Sequence, residues 1–295
     1  MSPTMSSAMP PATTPLNPAR IKQDFDTLGY VAPVRVMSAD EAAECRRRLE
    51  DFERAHSDKL GLLDMKANLI LPWIDRVTRL PSIHAALEPI IGSDLLVENV
   101  GFRSKAPDAR TFVAWHQDTV YLKFEPVITT CWLALTPATV ENGCLMVLPA
   151  SHTWGDLPHK EARNSDSMLT RGHYIASEFD KTKALPMVLD AGEAVILHTA
   201  IAHASEPNRS QDRRIGMLID FVPAWGKKLN GRESAMLVRG TDRWNHFDHE
   251  IPPEHDVGEA ERARHRRAVE RVVETFYAGS DRQPEALTGK ARNVV

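Results

Sequence analysis

From residue 94 to 225 the chain breaks into short apolar, β-branched runs: "LLVENVGF", "TFVAW", "VITTCWLAL", "CLMVLP", "AVILHTAIAHAS" and "RRIGMLIDFVPA". Polar or Gly/Pro breaks such as "APDA", "ENG", "DAG" and "EPNRSQD" separate them. No helical period intervenes between most of these runs, which argues against alternating βαβ units. Many short strands punctuated by turn residues predict a sandwich or barrel.

The flanks read differently. "SADEAAECRRRLEDFERA" opens with Ser38 and Glu41 at capping-box spacing and places Cys45, Leu49 and Phe52 on one face, which predicts a helix. Further helical turns are expected within 67–78 and 81–91, the second stopped by Gly92. Residues 257–277 carry an apolar stripe of Ala268, Val269, Val272 and Phe276 among alternating arginines and glutamates, the pattern of a helix with one solvated face. The expected organisation is a Pro/Ser/Thr-rich, unstructured lead-in over 1–18 and then one domain over 19–295. That domain has a helical part (19–92), a β core (93–225) and a helical extension (226–295). The stretch 154–184 has mixed charge and little periodicity, and inserts of this length tend to serve function.

Composition excludes several classes. The chain has 295 residues, 42% of them hydrophobic and 26% charged, with a formal net charge of −4. That balance gives no footing for nucleic acid or an anionic membrane. No apolar run approaches the roughly 18 residues of a membrane span. The first residues lack the basic and apolar regions of a secretory signal. Cys45, Cys131 and Cys144 have no metal-finger spacing, so reduced thiols and a cytoplasmic location are expected.

Within the β-rich region, "AWHQDTVYLKF" places His116 and Asp118 two residues apart. On a strand, positions i and i+2 share a face. Two ligand atoms on one rigid face suit a metal. An Fe(II) site of the facial-triad type needs one further imidazole and leaves positions open. A lone H-x-D also serves as a strand-end hydrogen-bond pair, so the rest of the chain must supply the third group. "GEAVILHTAIAHASEPNRSQDRRIGMLIDF" offers His198 and His203, followed by Arg214. An arginine fork suits the free carboxylate of a dicarboxylic cosubstrate.

"WHQD", "ENGCLMVLPASH" and "GEAVILHTAIAHASEPNRSQDRR" together resemble the phytanoyl-CoA 2-hydroxylase (PhyH) family of Fe(II)- and 2-oxoglutarate-dependent dioxygenases, over roughly residues 20–225. The resemblance implies a double-stranded β-helix, a jelly-roll and cupin relative, flanked by helices. It implies Fe(II), 2-oxoglutarate and O₂ as reactants at the centre. His116, Asp118 and His203 would bind iron, with no catalytic side chain beyond that centre. Arg214 would pair with the distal carboxylate of 2-oxoglutarate, Trp132 would line its pocket, and Lys105 would lie close to it. Halogenases of this family have Ala or Gly where Asp118 stands here, so the carboxylate favours hydroxylation.

The expected reaction is hydroxylation of an aliphatic C–H in a small molecule, an amino acid or a precursor of a specialised metabolite, with release of succinate and CO₂. Gln117, Arg103, Lys66, Asn68 and Arg171 are the expected substrate contacts, although each also fits a solvated polar residue. Desaturation, cyclisation and epimerisation share the same oxidative start. A non-catalytic cupin-like binder and a zinc hydrolase are the other readings. Cys131 and Met146 read as core, Asn142-Gly143 as a hairpin turn, and Ser151 and His152 as loop-shaping. Oligomeric state is not legible.

Overall fold

The computed structural model describes residues 17–277 except 127, 163 and 165. Of the expected lead-in over 1–18, residues 1–16 lie outside the described residues, as does 278–295, whereas Asn17 caps and Pro18 opens the first helix. Among the described residues the α-helices are α1 (Pro18–Leu28), α2 (Ala39–Ala55), α3 (Pro72–Thr78), α4 (Pro81–Ile91) and α5 (Glu259–Phe276).

The strands in chain order are β1 (Tyr30–Arg35), β2 (Leu95–Lys105), β3 (Val113–His116), β4 (Phe124–Glu125) and β5 (Thr129–Ala134). They continue with β6 (Leu145–Val147), β7 (His159–Glu161), β8 (His173–Ile175), β9 (Leu185–Pro186) and β10 (Glu193–His198). The last are β11 (His203–Ser205), β12 (Arg214–Pro223), β13 (Lys227–Lys228), β14 (Ser234–Arg239) and β15 (Asp248–His249). A major sheet runs β1-β10-β5-β12-β2-β14-β15, and a minor sheet runs β3-β11-β6-β9.

The helices form for the reasons the sequence suggests. Ser38 Oγ accepts from the Glu41 amide at 3.2 Å, and the Glu41 carboxylate accepts from the Ser38 amide at 2.8 Å, closing both halves of the capping box. The stripe Ala42, Cys45, Leu49 and Phe52 of α2 is buried in the main core. Gly92 stops α4 at φ 88°. In α5, Ala268, Val269, Val272 and Phe276 are all buried, as the stripe predicts.

Two expectations about the flanks fail. The helical part 19–92 contains β1, which pairs with β10. Its sequence, YVAPVR, hides a strand because Pro33 cannot donate to a ladder. β1 is an edge strand, and Pro33 falls where the register shifts between Val31 and Val34. The extension 226–295 is not wholly helical either. Its first part supplies β13, β14 and β15, and β14 extends the major sheet beside β2.

The "ENG" turn joins strands of different sheets instead of closing a hairpin. Asn142 fixes it by accepting from the Thr139 amide at 2.8 Å and donating to the Pro137 carbonyl at 2.8 Å. Gly143 has φ 71°, and a Cβ there would lie 2.1 Å from the Glu206 carbonyl oxygen, so glycine is required on both counts. Cys131 is fully buried in β5, whereas Met146 is only half-buried in β6. Ser151 shapes its loop, donating to the Leu148 carbonyl at 2.6 Å and accepting from the Ala202 amide at 2.8 Å. The three cysteines are buried and unlinked. Among the described residues, no helix is long and apolar enough to cross a membrane.

Candidate metal centre and cosubstrate pocket

A cavity of about 120 Å³ lies against both sheets. The minor sheet brings two imidazoles to it. β3 and β11 pair antiparallel with His116 directly opposite His203, and the ring centroids are 4.1 Å apart. Asp118 is not on the strand, as the i/i+2 argument assumed. It is the first residue of a 3₁₀ turn, Asp118–Val120, and its amide donates to the Thr199 carbonyl at 2.9 Å. The turn still brings the carboxylate back to the imidazoles. Asp118 Oδ1 is 3.2 Å from His116 Nε2, and Oδ2 is 3.8 Å from His203 Nε2. One ligand atom from each residue lies within 4.8 Å of the others, and all three residues are buried.

The tautomers follow from the backbone. His116 Nδ1 sits 2.8 Å from the Ala114 carbonyl and His203 Nδ1 3.0 Å from the Ile201 carbonyl. A carbonyl only accepts, so each Nδ1 carries a hydrogen and Nε2 is the ring nitrogen turned toward Asp118. Burial, reinforced by His116, pushes His203 down to about 4, so its imidazole is neutral at physiological pH. Burial opposes ionisation of Asp118, but the imidazoles of His203 and His116 and the Tyr121 hydroxyl, which donates to it, hold its carboxyl well below the usual range. One carboxylate and two imidazole Nε2 atoms turned to one point are the donor set of a divalent metal. His198 belongs elsewhere: its ring packs on Phe25 at 5.6 Å and on His152 at 5.0 Å.

The major sheet supplies the next part. Arg214, 2% exposed, opens β12 and donates to the Gly143 carbonyl at 2.9 Å, while its Nε has no partner. Its guanidinium lies 5.2 Å from the Trp132 ring centre, a cation–π distance. Gly216, two residues on, makes room for that indole, since a Cβ there would lie 2.2 Å from Trp132 Cζ2. Burial lowers Arg214 to about 10, which leaves it charged at neutral pH. Both Arg214 and Trp132 line the cavity. Lys105 pairs with Arg214 across β2 and β12 but does not line it. Its Nζ donates to Ser205 Oγ at 2.7 Å and to the Glu206 carbonyl, so it stands behind Ser205.

Residues 25–216 match the family model for phytanoyl-CoA dioxygenase (PhyH). The chain belongs to the PhyH family. Fe(II) and 2-oxoglutarate are the cofactors this membership brings, and the His–Asp–His group beside a buried arginine fits them. Among PhyH relatives, the chain is 24% identical to the bovine phytanoyl-CoA dioxygenase domain-containing protein 1, over 72% of this chain and 91% of that one. It is 28% identical to the human peroxisomal phytanoyl-CoA dioxygenase over 50% of this chain and 46% of the human one. Among solved structures, it superposes on the apo non-heme monooxygenase ThoJ with a TM-score of 0.79 at 32% identity, covering 88% of this chain and 98% of ThoJ. CytC3, solved with Fe(II) and α-ketoglutarate, shares the fold with a TM-score of 0.60 at 21% identity, over 83% of this chain and 96% of that one.

Of the expected PhyH substrate contacts, Arg103 alone lines the cavity. Lys66 is fully buried, donates to the Ser234 carbonyl at 2.7 Å and pairs with Glu250 at 2.9 Å, so it holds the fold together. Asn68 is fully buried away from the cavity wall. Arg171 binds Glu161, with Nε at 2.7 Å, and the Phe276 carbonyl at 2.9 Å, tying the insert to the end of α5. Gln117 turns away from the metal ligands on either side. It donates to the Gly155 and Ala200 carbonyls at 3.0 and 2.8 Å and accepts from the Leu157 amide at 2.8 Å. Nothing in the spacing of these charged and amide residues marks their distant partners in sequence.

Several further cavity residues carry no motif in the sequence. The insert contains a small hairpin, β7–β8, whose His173 reaches the cavity and packs edge-on to His116 at 5.1 Å. Glu98, Asn99 and Asp220 line the wall on the major sheet. Val272 and Phe276 of α5 line it as well, and Phe276 packs on Tyr121 at 4.4 Å. A polar residue inside an otherwise apolar strand, as in "LLVENVGF" and "MLIDF", is the signal that would have found Glu98, Asn99 and Asp220.

Proposed function

We propose that the protein is an Fe(II)- and 2-oxoglutarate-dependent hydroxylase acting on an aliphatic C–H of a small molecule, an amino acid or a precursor of a specialised metabolite. The observation that carries this reading is the convergence of His116 Nε2, His203 Nε2 and the Asp118 carboxylate in one cavity that Arg214 also lines. His116, Asp118 and His203 would hold iron. When bound, the metal and cosubstrate supply the oxidant that turns C–H into C–OH, with one oxygen atom of O₂ leaving in succinate and the C1 carboxylate leaving as CO₂.

The residues of the chain position and shield. Arg214 receives the distal carboxylate of 2-oxoglutarate through its fork, held in place by the Gly143 carbonyl and the Trp132 face. The Tyr121 hydroxyl steadies Asp118. Val272 and Phe276 keep bulk water from the reacting centre. Asp118 would give the metal a carboxylate ligand where halogenases of this family have Ala or Gly, which supports hydroxylation over halogenation. A cavity of about 120 Å³ suits a small metabolite better than a nucleotide-bearing thioester. We place the two sheets as the halves of a double-stranded β-helix, with residues 19–295 as one domain and the cytoplasm as its location.

The test is an anaerobic visible spectrum with Fe(II) and 2-oxoglutarate, followed by O₂ and assay of succinate. A charge-transfer band that requires both additions supports the reading. A protein that binds neither iron nor 2-oxoglutarate overturns it.

A further inference from the structure

One wall of the cavity carries two carboxyl groups, Glu98 and Asp220, that belong neither to the three metal-ligand candidates nor to the Arg214 pocket. β2 and β12 run in register until a bulge, where Asp220 pairs with Asn99 and Phe221 pairs with Val97. Glu98 is the extra residue. Strand alternation would turn Glu98 and Asn99 to opposite faces, and the bulge lets both reach the cavity. Asp220 lies beside them and receives only neutral donors, Thr130 Oγ1 at 2.6 Å and Asn99 Nδ2 at 3.2 Å. Glu98 is 1% exposed, and its Oε1 has no hydrogen-bond partner. Across the cavity, His173 is also 1% exposed, with neither ring nitrogen hydrogen-bonded.

Buried polar atoms without partners are rare because each loses its hydration with nothing in return. Orphans on facing walls of one cavity mark the place of a polar ligand. Burial and the neighbouring Glu233 push the Glu98 carboxyl well above the usual range, so Glu98 offers a neutral acceptor, and Asp220, hydrogen-bonded only by neutral donors and with Arg103 as its nearby cation, supplies the charge of this wall. An ammonium brings three donors and one positive charge, which satisfies the Glu98 oxygen and balances Asp220. His173 offers one donor and one acceptor to a polar group at the opposite end. Arg103, whose Nη1 lies over Gly101, 3.2 Å from where a Cβ would stand, adds a cation to the same cavity.

We propose that the substrate is a small molecule bearing a protonated amine, and that Glu98, Asn99 and Asp220 bind that amine. The inference rests on the hydroxylase reading for its reaction and names its substrate class. The amine binds the wall, and its neighbouring carbons face the metal ligands on the other sheet.

The experiment is calorimetric titration, without O₂, of both the metal-free and the Fe(II)/2-oxoglutarate-loaded protein. The probes are the common amino acids, their decarboxylated amines and the N-acetyl form of each. The expected result is binding by free amines, weakened at least about tenfold by N-acetylation, which removes the charge. Asp220→Asn and Glu98→Gln should each weaken the same amine by about tenfold or more. Glu98 adjoins the buried charges of Lys66 and Glu233, so the thermal melt of each variant is recorded, and Asp220→Asn carries the test if Glu98→Gln does not fold. Equal binding of free and acetylated forms, binding only by molecules without an amine, or no binding by any member overturns the proposal. A normal Fe(II)/2-oxoglutarate spectrum in that case leaves the hydroxylase reading standing. An absent spectrum with the amine preference intact on metal-free protein does the reverse.

Discussion

His203 faces His116 directly across the β3–β11 pair, and both imidazoles are turned the same way by a backbone carbonyl two residues before each. The two Nε2 atoms therefore face the same point beside Asp118. Replacing His203 with Ala removes one of three donors and should lower iron-dependent succinate formation by at least about 100-fold. It should also abolish the rise in melting temperature on adding Fe(II) anaerobically. Retention of both effects would remove His203 from the site.

Arg214→Lys keeps the charge and loses the fork. The variant should raise the 2-oxoglutarate KM by about 10- to 100-fold, from the loss of a charge-assisted bond of about 1.5–3 kcal/mol. Its kcat should change far less, because the distal carboxylate is held equally before and during reaction. Steady-state kinetics at saturating substrate separate the two. A change confined to kcat would place Arg214 nearer the reacting atoms than the distal carboxylate.

Gln117 holds together the metal-ligand turn, the start of the insert and the β10–β11 connection. In Gln117→Ala, the Gly155 and Ala200 carbonyls and the Leu157 amide lose a partner. The expected loss is about 2–4 kcal/mol of unfolding free energy, read by urea denaturation, with weaker iron binding in parallel. Unchanged stability with altered substrate KM would show that the side chain contacts substrate instead.

Burial, with Asp118 nearby, pushes Asp220 up to about 6. The unfolded chain releases this proton near pH 4, so the folded state holds more protons between about pH 4 and 6. Stability of the metal-free protein should fall as pH rises through that window and stay lower above it. Asp220→Asn removes the effect, with Thr130 rotating its hydroxyl to accept. Its melting temperature should exceed that of the wild type at neutral pH and converge with it near pH 4. A gain independent of pH would mean that Asp220 is not the group responsible.

The parts of this molecule that obey local rules could be read from sequence. The capping box of α2, the stop at Gly92, the stripe of α5 and the ordered motifs around His116, Asp118, His203 and Arg214 all depend on neighbours within a few residues. β1 escaped because Pro33 argues against a strand unless its edge position is known. The tail strands β13–β15 are short, and they form only beside β2, β4 and one another. Four of the five expected substrate contacts lie off the cavity for a related reason. Lys66 and Arg171 carry charge that looks solvated until Glu250 and Glu161 are seen beside them. Glu98 and Asp220 sit in runs whose apolar neighbours concealed them.

The β3–β11 register sets the tolerance of this chain to changes in length. A slip of one residue on either strand turns every side chain to the opposite face. A one-residue deletion between Val113 and His116 would point an imidazole away from its partners while leaving composition and hydrophobic content almost unchanged. Residues 176–184, beyond β8, can lengthen at a small cost in loop entropy. Insertions and deletions in related sequences should therefore collect in that stretch and be absent from 113–118 and 198–205.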